Sequence, residues 1–152
     1  MIKILSEKQA NKKLIEELPF LDDNNLHNTK LDDECPEGWT KLKLDFYREL
    51  KPLLIKYNCI DEYEIVQSKE KWGSWRLYAV GIPSEMENEY FELLHKYKKI
   101  SEHTCIHCGK EAKMCDFGWI IFPICKECWD KGYISDTRNY DEIVIKENNN
   151  AN

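Results

Sequence analysis

The sequence predicts an α+β fold, in which two or three helices pack on a short antiparallel β-hairpin and a small cysteine-centred module follows them. Three observations carry that expectation. Two stretches repeat their apolar residues at helical spacing, the stretch between them alternates at strand spacing, and four of the seven cysteines form two Cys-x-x-Cys pairs near the carboxyl end. A chain of 152 residues has room for one core and a small appendage.

Ser6 and Gln9 make a capping box, and Ala10, Leu14 and Leu18 repeat every four residues until Pro19, which predicts a first helix over 6–18. Residues 20–37 carry the acidic runs Asp22-Asp23 and Asp32-Asp33-Glu34 without the glycine and alternating ligands of a calcium loop, so they read as a solvated linker. Over 39–57, Leu42, Phe46, Leu50, Leu53, Leu54 and Tyr57 share one helical face, and Pro52 predicts a kinked or divided helix. Two β-prone runs, 62–69 and 75–81, flank Lys71-Trp72-Gly73-Ser74. Trp75, Leu77 and Ala79 alternate there with Arg76, Tyr78 and Val80, which is the pattern of a hairpin with one buried face. Ser84 and Glu87 form a second capping box, and Met86, Tyr90, Leu93, Leu94, Tyr97 and Ile100 predict a helix over about 85–101. No internal repeat is read along the chain. The expected division is an N-terminal helix and acidic loop over 1–36, an α+β core over 37–103, a metal-binding module over 104–134, and a partly disordered tail over 135–152 in which 142–146 suits an edge strand.

Cys105 and Cys108 are separated from Cys125 and Cys128 by sixteen residues, a spacing that lets two short turns converge on one tetrahedral ion. Four thiolates suit zinc, which takes tetrahedral soft-donor geometry without redox chemistry, and Gly109 supplies the positive φ that a tight ligand turn needs. Four protein ligands close the shell, so the role expected of Zn2+ is structural. Between the pairs, Lys113–Cys115 and Trp119–Phe122 read as strands joined at Asp116-Phe117-Gly118. A turn, a hairpin and a short helix bearing the last ligands would be a treble clef; two ligand turns would be a zinc ribbon. Cys115 reads as a small buried strand residue, His103 and His107 as neighbours of a ligand set already complete, and Cys35 and Cys59 as ordinary thiols.

No phosphate-cradling glycine loop, dinucleotide fingerprint, HExxH or G-x-S-x-G pattern occurs, and no carboxylate pair is set in an apolar stretch, so no catalytic residue is assigned and a non-enzymatic role is expected. Lys and Arg number 22 against 28 Asp and Glu, giving a net charge of −6 with no basic segment, which weighs against a polyanion partner. No run approaches the length of a membrane span, and the amino terminus turns polar after five residues, so a cytoplasmic protein is expected. The aromatic and basic cluster Lys69, Lys71, Trp72, Trp75 and Arg76 is the best candidate recognition surface. Within it Trp75 is expected under the helices and Trp72 exposed, which makes Trp72, Lys71 and Arg76 the partner-binding candidates.

Gly38-Trp39, the segment Lys69-Glu70-Lys71-Trp72-Gly73-Ser74-Trp75-Arg76-Leu77-Tyr78, Cys-x-x-Cys-Gly, Gly118-Trp119 and the closing Cys-x-x-Cys occur in this order over residues 37–130. This order resembles a group of small uncharacterised proteins of bacteriophages, prophages and bacterial genomes that carry a C-terminal zinc knuckle. The closing pair of that group is often Cys-x-x-His, where this chain has Cys125 and Cys128. The resemblance implies a phage or mobile-element setting, in which small acidic proteins often bind and block another protein, and brings no activity with it. The expectation is a zinc-stabilised protein-binding module, an inhibitor of a host defence enzyme or an immunity protein, with a nucleic-acid-binding zinc finger as the alternative.

Overall fold

Both apolar stripes become helices, and the alternating stretch between them becomes the hairpin they cover. The computed structural model describes residues 35–134 and 136–146, together with Lys12, Lys13 and Glu16. Those three isolated residues are helical; the remainder of the helix expected over 6–18, the acidic linker up to residue 34 and the tail from residue 147 lie outside the described residues. Among the described residues the chain is α+β, with four helices and two separate two-stranded antiparallel sheets.

A 3₁₀ turn at Glu37–Trp39 leads into α1 (Thr40–Lys56). The helix expected to be kinked or divided at Pro52 is not divided and runs through it as one element. Proline there removes a single backbone bond, and because Pro52 is exposed, water can take up the carbonyl left free one turn back. Strands β1 (Glu64–Lys71) and β2 (Ser74–Val80) pair from Glu64 with Val80 to Lys71 with Ser74, with an extra residue at Val66. A two-residue turn, Trp72-Gly73, joins them, both residues at positive φ (54° and 77°). That geometry matches the twist of paired strands and ordinarily selects Asn-Gly or Gly-Gly.

Helix α2 (Glu87–Glu102) does not use the capping box expected at Ser84. Residues Ser84–Met86 form a 3₁₀ turn, and the Met86 N–H is taken by the Pro83 carbonyl at 3.0 Å, so the helix begins beyond the reach of Ser84 as a cap. The helices and the first hairpin share one core. Phe46 sits at its centre with Tyr47, Trp75, Tyr90 and Tyr97 around it edge-on, at centroid distances of 5.2, 5.2, 6.4 and 5.7 Å. Trp75 is buried as expected, its indole N–H donating to Ser68 Oγ at 2.9 Å and its backbone N–H to Ser101 Oγ at 2.9 Å, which ties β2 to α2.

The helix pair also corrects the reading that the chain lacks repeats. Residues 49–57, Glu-Leu-Lys-Pro-Leu-Leu-Ile-Lys-Tyr, and residues 89–97, Glu-Tyr-Phe-Glu-Leu-Leu-His-Lys-Tyr, share Glu, Leu, Leu, Lys and Tyr at matching places. In the fold they lie antiparallel and exchange the same contacts. Lys56 and Tyr57 donate to Glu89, and Lys96 and Tyr97 donate to Glu49.

A second, smaller core lies beyond α2. It comprises β3 (Lys113–Asp116), β4 (Ile121–Ile124), α3 (Lys126–Asp130) and α4 (Tyr140–Ile143) around Ala112, Phe117, Ile124, Ile143 and the buried cysteines. The edge strand expected over 142–146 is a helical turn followed by one bridge, Val144 opposite Cys115, with the Ile145 N–H donating to the Met114 carbonyl at 2.9 Å.

Candidate metal centre

The first ligand pair sits in a turn built by backbone bonds. The Cys105 N–H donates to the Lys110 carbonyl at 2.8 Å, the Gly109 N–H to the Cys105 carbonyl at 3.1 Å, and Gly109 adopts the positive φ expected of it, 80°. The second pair sits at the start of a helix: Cys125 is the N-cap of α3, its sulfur accepting from the Cys128 N–H at 3.4 Å, and Cys128 lies within the helix. Knuckle, hairpin and helix follow one another in the treble-clef order, one of the two arrangements the sequence left open.

The four sulfurs lie within 4.8 Å of one another, with Cys108 and Cys125 at 3.6 Å. A disulfide would need about 2.05 Å. Four thiolates about 2.3 Å from a tetrahedral ion would stand roughly 3.8 Å apart, which the cluster matches. Three backbone amides already point at the sulfurs: His107 N–H at Cys105, Lys110 N–H at Cys108 and Cys128 N–H at Cys125, each at 3.4 Å. Burial raises the Cys105 thiol, and backbone hydrogen bonds from Cys108, Cys125 and His107 outweigh it and hold that thiol below its usual range. Burial pushes Cys108 up to about 11, and pushes Cys128 up as well, with the crowded neighbouring sulfurs adding to it. Four soft sulfur donors gathered this closely fit a metal ion with thiolate preference. An ion pair between Lys110 and Glu127, at 2.6 Å, ties the knuckle to α3 beside the cluster.

Cys115, His103 and His107 lie outside the cluster. Cys115 is fully buried with its thiol directed at the Lys113 carbonyl, and the His107 ring packs on Tyr133 at 3.7 Å between centroids. Cys59 is buried beside the Leu54 carbonyl and Met86, and Cys35 approaches Ser68 Oγ at 3.5 Å.

The module is mortised to the larger core by glycine and tryptophan. The Gly38 N–H donates to the Ile106 carbonyl at 2.9 Å, and the Trp39 indole N–H donates to the Thr104 carbonyl at 3.0 Å. A Cβ on Gly38 would overlap the Cys105 carbonyl and the Ile106 backbone, so the Gly-Trp pair is the joint on which the first ligand turn rests. A second joint lies at the tip of the first hairpin, where a Cβ on Gly73 would overlap the Met114 side chain and crowd Phe122.

Of the partner-binding candidates, Trp72 is 56% exposed at that tip and Lys71 is exposed beside it. Arg76 is half-buried, with an Nε that is buried and has no hydrogen-bond partner among the described residues. Trp119, expected in a strand, occupies the turn before β4 and is 78% exposed. The Asp116 carboxylate takes the Gly118 N–H at 2.7 Å and the Ile120 carbonyl takes the Phe117 N–H, which closes the turn and pushes Trp119 outward. Its signal in the sequence was the Asp-Phe-Gly run just before it. Among the described residues no helix is long and apolar enough to cross a membrane. Compared with protein-family models, curated proteins and solved structures, the chain matches none.

Proposed function

We propose that this chain is a zinc-stabilised protein-binding module, in which Zn2+ closes the four-thiolate site structurally and the tip of the first hairpin engages another protein. The observation that carries the reading is Trp72. A bulky aromatic residue at φ 54° is held against its own preference, with its ring half out in solvent, at a turn braced by the metal module. Strain of that kind persists where an exposed ring is of use, and tryptophan is the most frequent interface anchor. Lys69 and Arg76 stand directly opposite each other across the strands, an unfavourable like-charge pair, with Lys71 adjacent. A partner that places an acidic group over them beside a pocket for the indole would relieve that repulsion. Its expected chemistry is therefore an acidic, aromatic-accepting protein surface. The setting implied by the resemblance, blocking of another protein, is compatible with such a surface.

The test is a tagged pull-down at near-physiological salt with and without nuclease, run in parallel on wild type and Trp72→Ala, with zinc measured in both by mass spectrometry. One zinc per chain in both, and a stoichiometric protein retained after nuclease by wild type and lost from Trp72→Ala, supports the reading. Nucleic acid recovered alone and released by nuclease would replace it with the nucleic-acid reading, in which the same three cations take phosphates.

A further inference from the structure

The repeat in the two long helices builds a surface with its own twofold symmetry. Lys56 Nζ lies 3.1 and 3.4 Å from the Glu89 carboxylate oxygens, and Lys96 Nζ lies 3.1 and 3.2 Å from those of Glu49. Each lysine also stands 5.2 Å from the centroid of the tyrosine that follows it, Tyr57 or Tyr97. Between the two ion pairs runs a groove of about 610 Å³. Its lining is four equivalent pairs, each separated by forty residues: Glu49 and Glu89, Pro52 and Glu92, Leu53 and Leu93, Lys56 and Lys96. The paired charges remain well exposed, at 61% and 44% for Lys56 and Glu89 and 54% and 44% for Lys96 and Glu49.

We propose that this face of the α1–α2 pair is where a second copy of the same chain docks, giving an antiparallel four-helix arrangement. The argument is charge complementarity. Because the helices are antiparallel, the four corners of the face alternate in sign: Glu49, Lys56, Glu89, Lys96. Turning a copy over about an axis parallel to the helices lays α2 of the copy on α1 of the first and sets a lysine over every glutamate. The sequence difference between the repeats fixes that axis. It seats Glu92 of each copy over Pro52 of the other, whereas an axis across the helices would set Glu92 on Glu92. Leu53 and Leu93, half-buried on the groove floor, are covered in the process. All neighbouring helices are then antiparallel, the arrangement of up-and-down bundles.

The test exploits that self-complementarity. The fourfold swap Glu49→Lys, Lys56→Glu, Glu89→Lys, Lys96→Glu keeps both intrachain ion pairs and inverts every corner. Wild type and swap variant, each zinc-loaded and checked for folding by circular dichroism, are measured by sedimentation as the concentration rises, then mixed with different fluorescent labels. The expected result is a twofold rise in mass from 18.2 kDa for each protein alone and no energy transfer between wild type and swap, because mixed pairs meet like on like. Wild type that stays at monomer mass to millimolar concentration overturns the proposal. Mixed pairs that form as readily as homotypic ones overturn it too, by placing the contact elsewhere. Trp72→Ala dimerises like wild type if the proposal holds, which separates this result from the partner-binding reading.

Discussion

Removing the metal should divide the molecule along the boundary between its two cores. The second core buries three large apolar side chains, Phe117, Ile124 and Ile143, besides its cysteines and Ala112. At about 1.5–3 kcal/mol for each fully buried side chain, those three contribute roughly 5–9 kcal/mol. A structural four-ligand zinc site contributes on the order of 10 kcal/mol or more at neutral pH. Losing it multiplies the open population of the module by about 10⁷, at tenfold for every ~1.4 kcal/mol. The larger core keeps Phe46, Leu50, Leu54, Ile65, Trp75 and Tyr90, and of the first ligand turn Ile106 packs against that core from its edge. Hydrogen exchange read by NMR before and after chelation has natural reporters in each part. The amides of Cys105, Ile106 and Ala112, bonded to Lys110, Pro123 and His103, should lose all protection, and the Trp39 indole N–H should shift as it loses the Thr104 carbonyl. The Trp75 amide, bonded to Ser101, should stay protected. Loss of protection at Trp75 together with the module, or no change at Ala112 after complete metal removal, would refute the division. Cys108→Ser should reproduce the chelated state and leave the C-terminal third without amide dispersion.

Three further outcomes follow from single contacts. Gly38→Ala should cost about 3 kcal/mol, because its Cβ meets the backbone of Cys105 and Ile106 and neither can withdraw without moving a ligand; an unchanged thermal midpoint would show that the joint is elsewhere. Trp72→Asn should raise stability by about 1 kcal/mol in urea titration, since Asn accepts the left-handed conformation that Trp72 holds, while abolishing partner capture; a loss of stability would mean the indole packs instead of projecting. Hydrogen bonds from Tyr97 and Tyr57, with the lysines beside them, hold the Glu49 and Glu89 carboxyls below their ordinary value of 4.5. Their contribution is therefore complete above that value and is lost as pH falls through the depressed ones, so wild type should lose stability more steeply than Glu49→Gln/Glu89→Gln between about pH 5 and pH 3. Thermal melts of the two proteins across that range, at dilute concentration, check it, and the acid sensitivity of the metal site cancels in the comparison. Parallel curves would contradict it.

The features that periodicity encodes were legible. The alternation at Trp75, Leu77 and Ala79 gave the buried face of the hairpin, and the sixteen-residue gap gave the ligand set that the fold brings together. What escaped was long-range or polar. Gly38 and Trp39 are functional only against residues 104–106, and the indole bond spans 65 positions, beyond any local pattern. The repeat escaped because two of the residues that give it meaning, Glu and Lys, stand on the polar side of each helix, which an apolar-stripe reading discards as solvated, while Tyr57 and Tyr97 count there only as members of the stripe. Trp119 was drawn into a strand by Ile120, Ile121 and Phe122 after it, although the turn chemistry of Asp116 to Gly118 overrides that apolar run. The cap at Ser84 failed for the converse reason: Pro83 pre-sets a tighter turn whose carbonyl takes the donor first.

The joints connect the four-cysteine cluster to the hairpin tip that is proposed to engage a partner. A tryptophan in the left-handed region costs roughly 1–2 kcal/mol and is kept only while its surroundings over-determine it. Two features do so here. The Glu70 carboxylate accepts the Gly73 N–H at 2.6 Å, and Gly73 lies flat against Met114 and Phe122. The first belongs to the hairpin itself, but the second belongs to β3 and β4, which lie between the two cysteine pairs. Once the module opens, the Glu70 bond and the Lys71–Ser74 end of the ladder still hold the turn, but the packing that fixes Gly73 from the far side is gone and the strain is opposed less strongly. In the proposed reading the four-cysteine site thereby governs the orientation of Trp72. Metal loss should weaken partner binding even though none of the ligands lies at the tip.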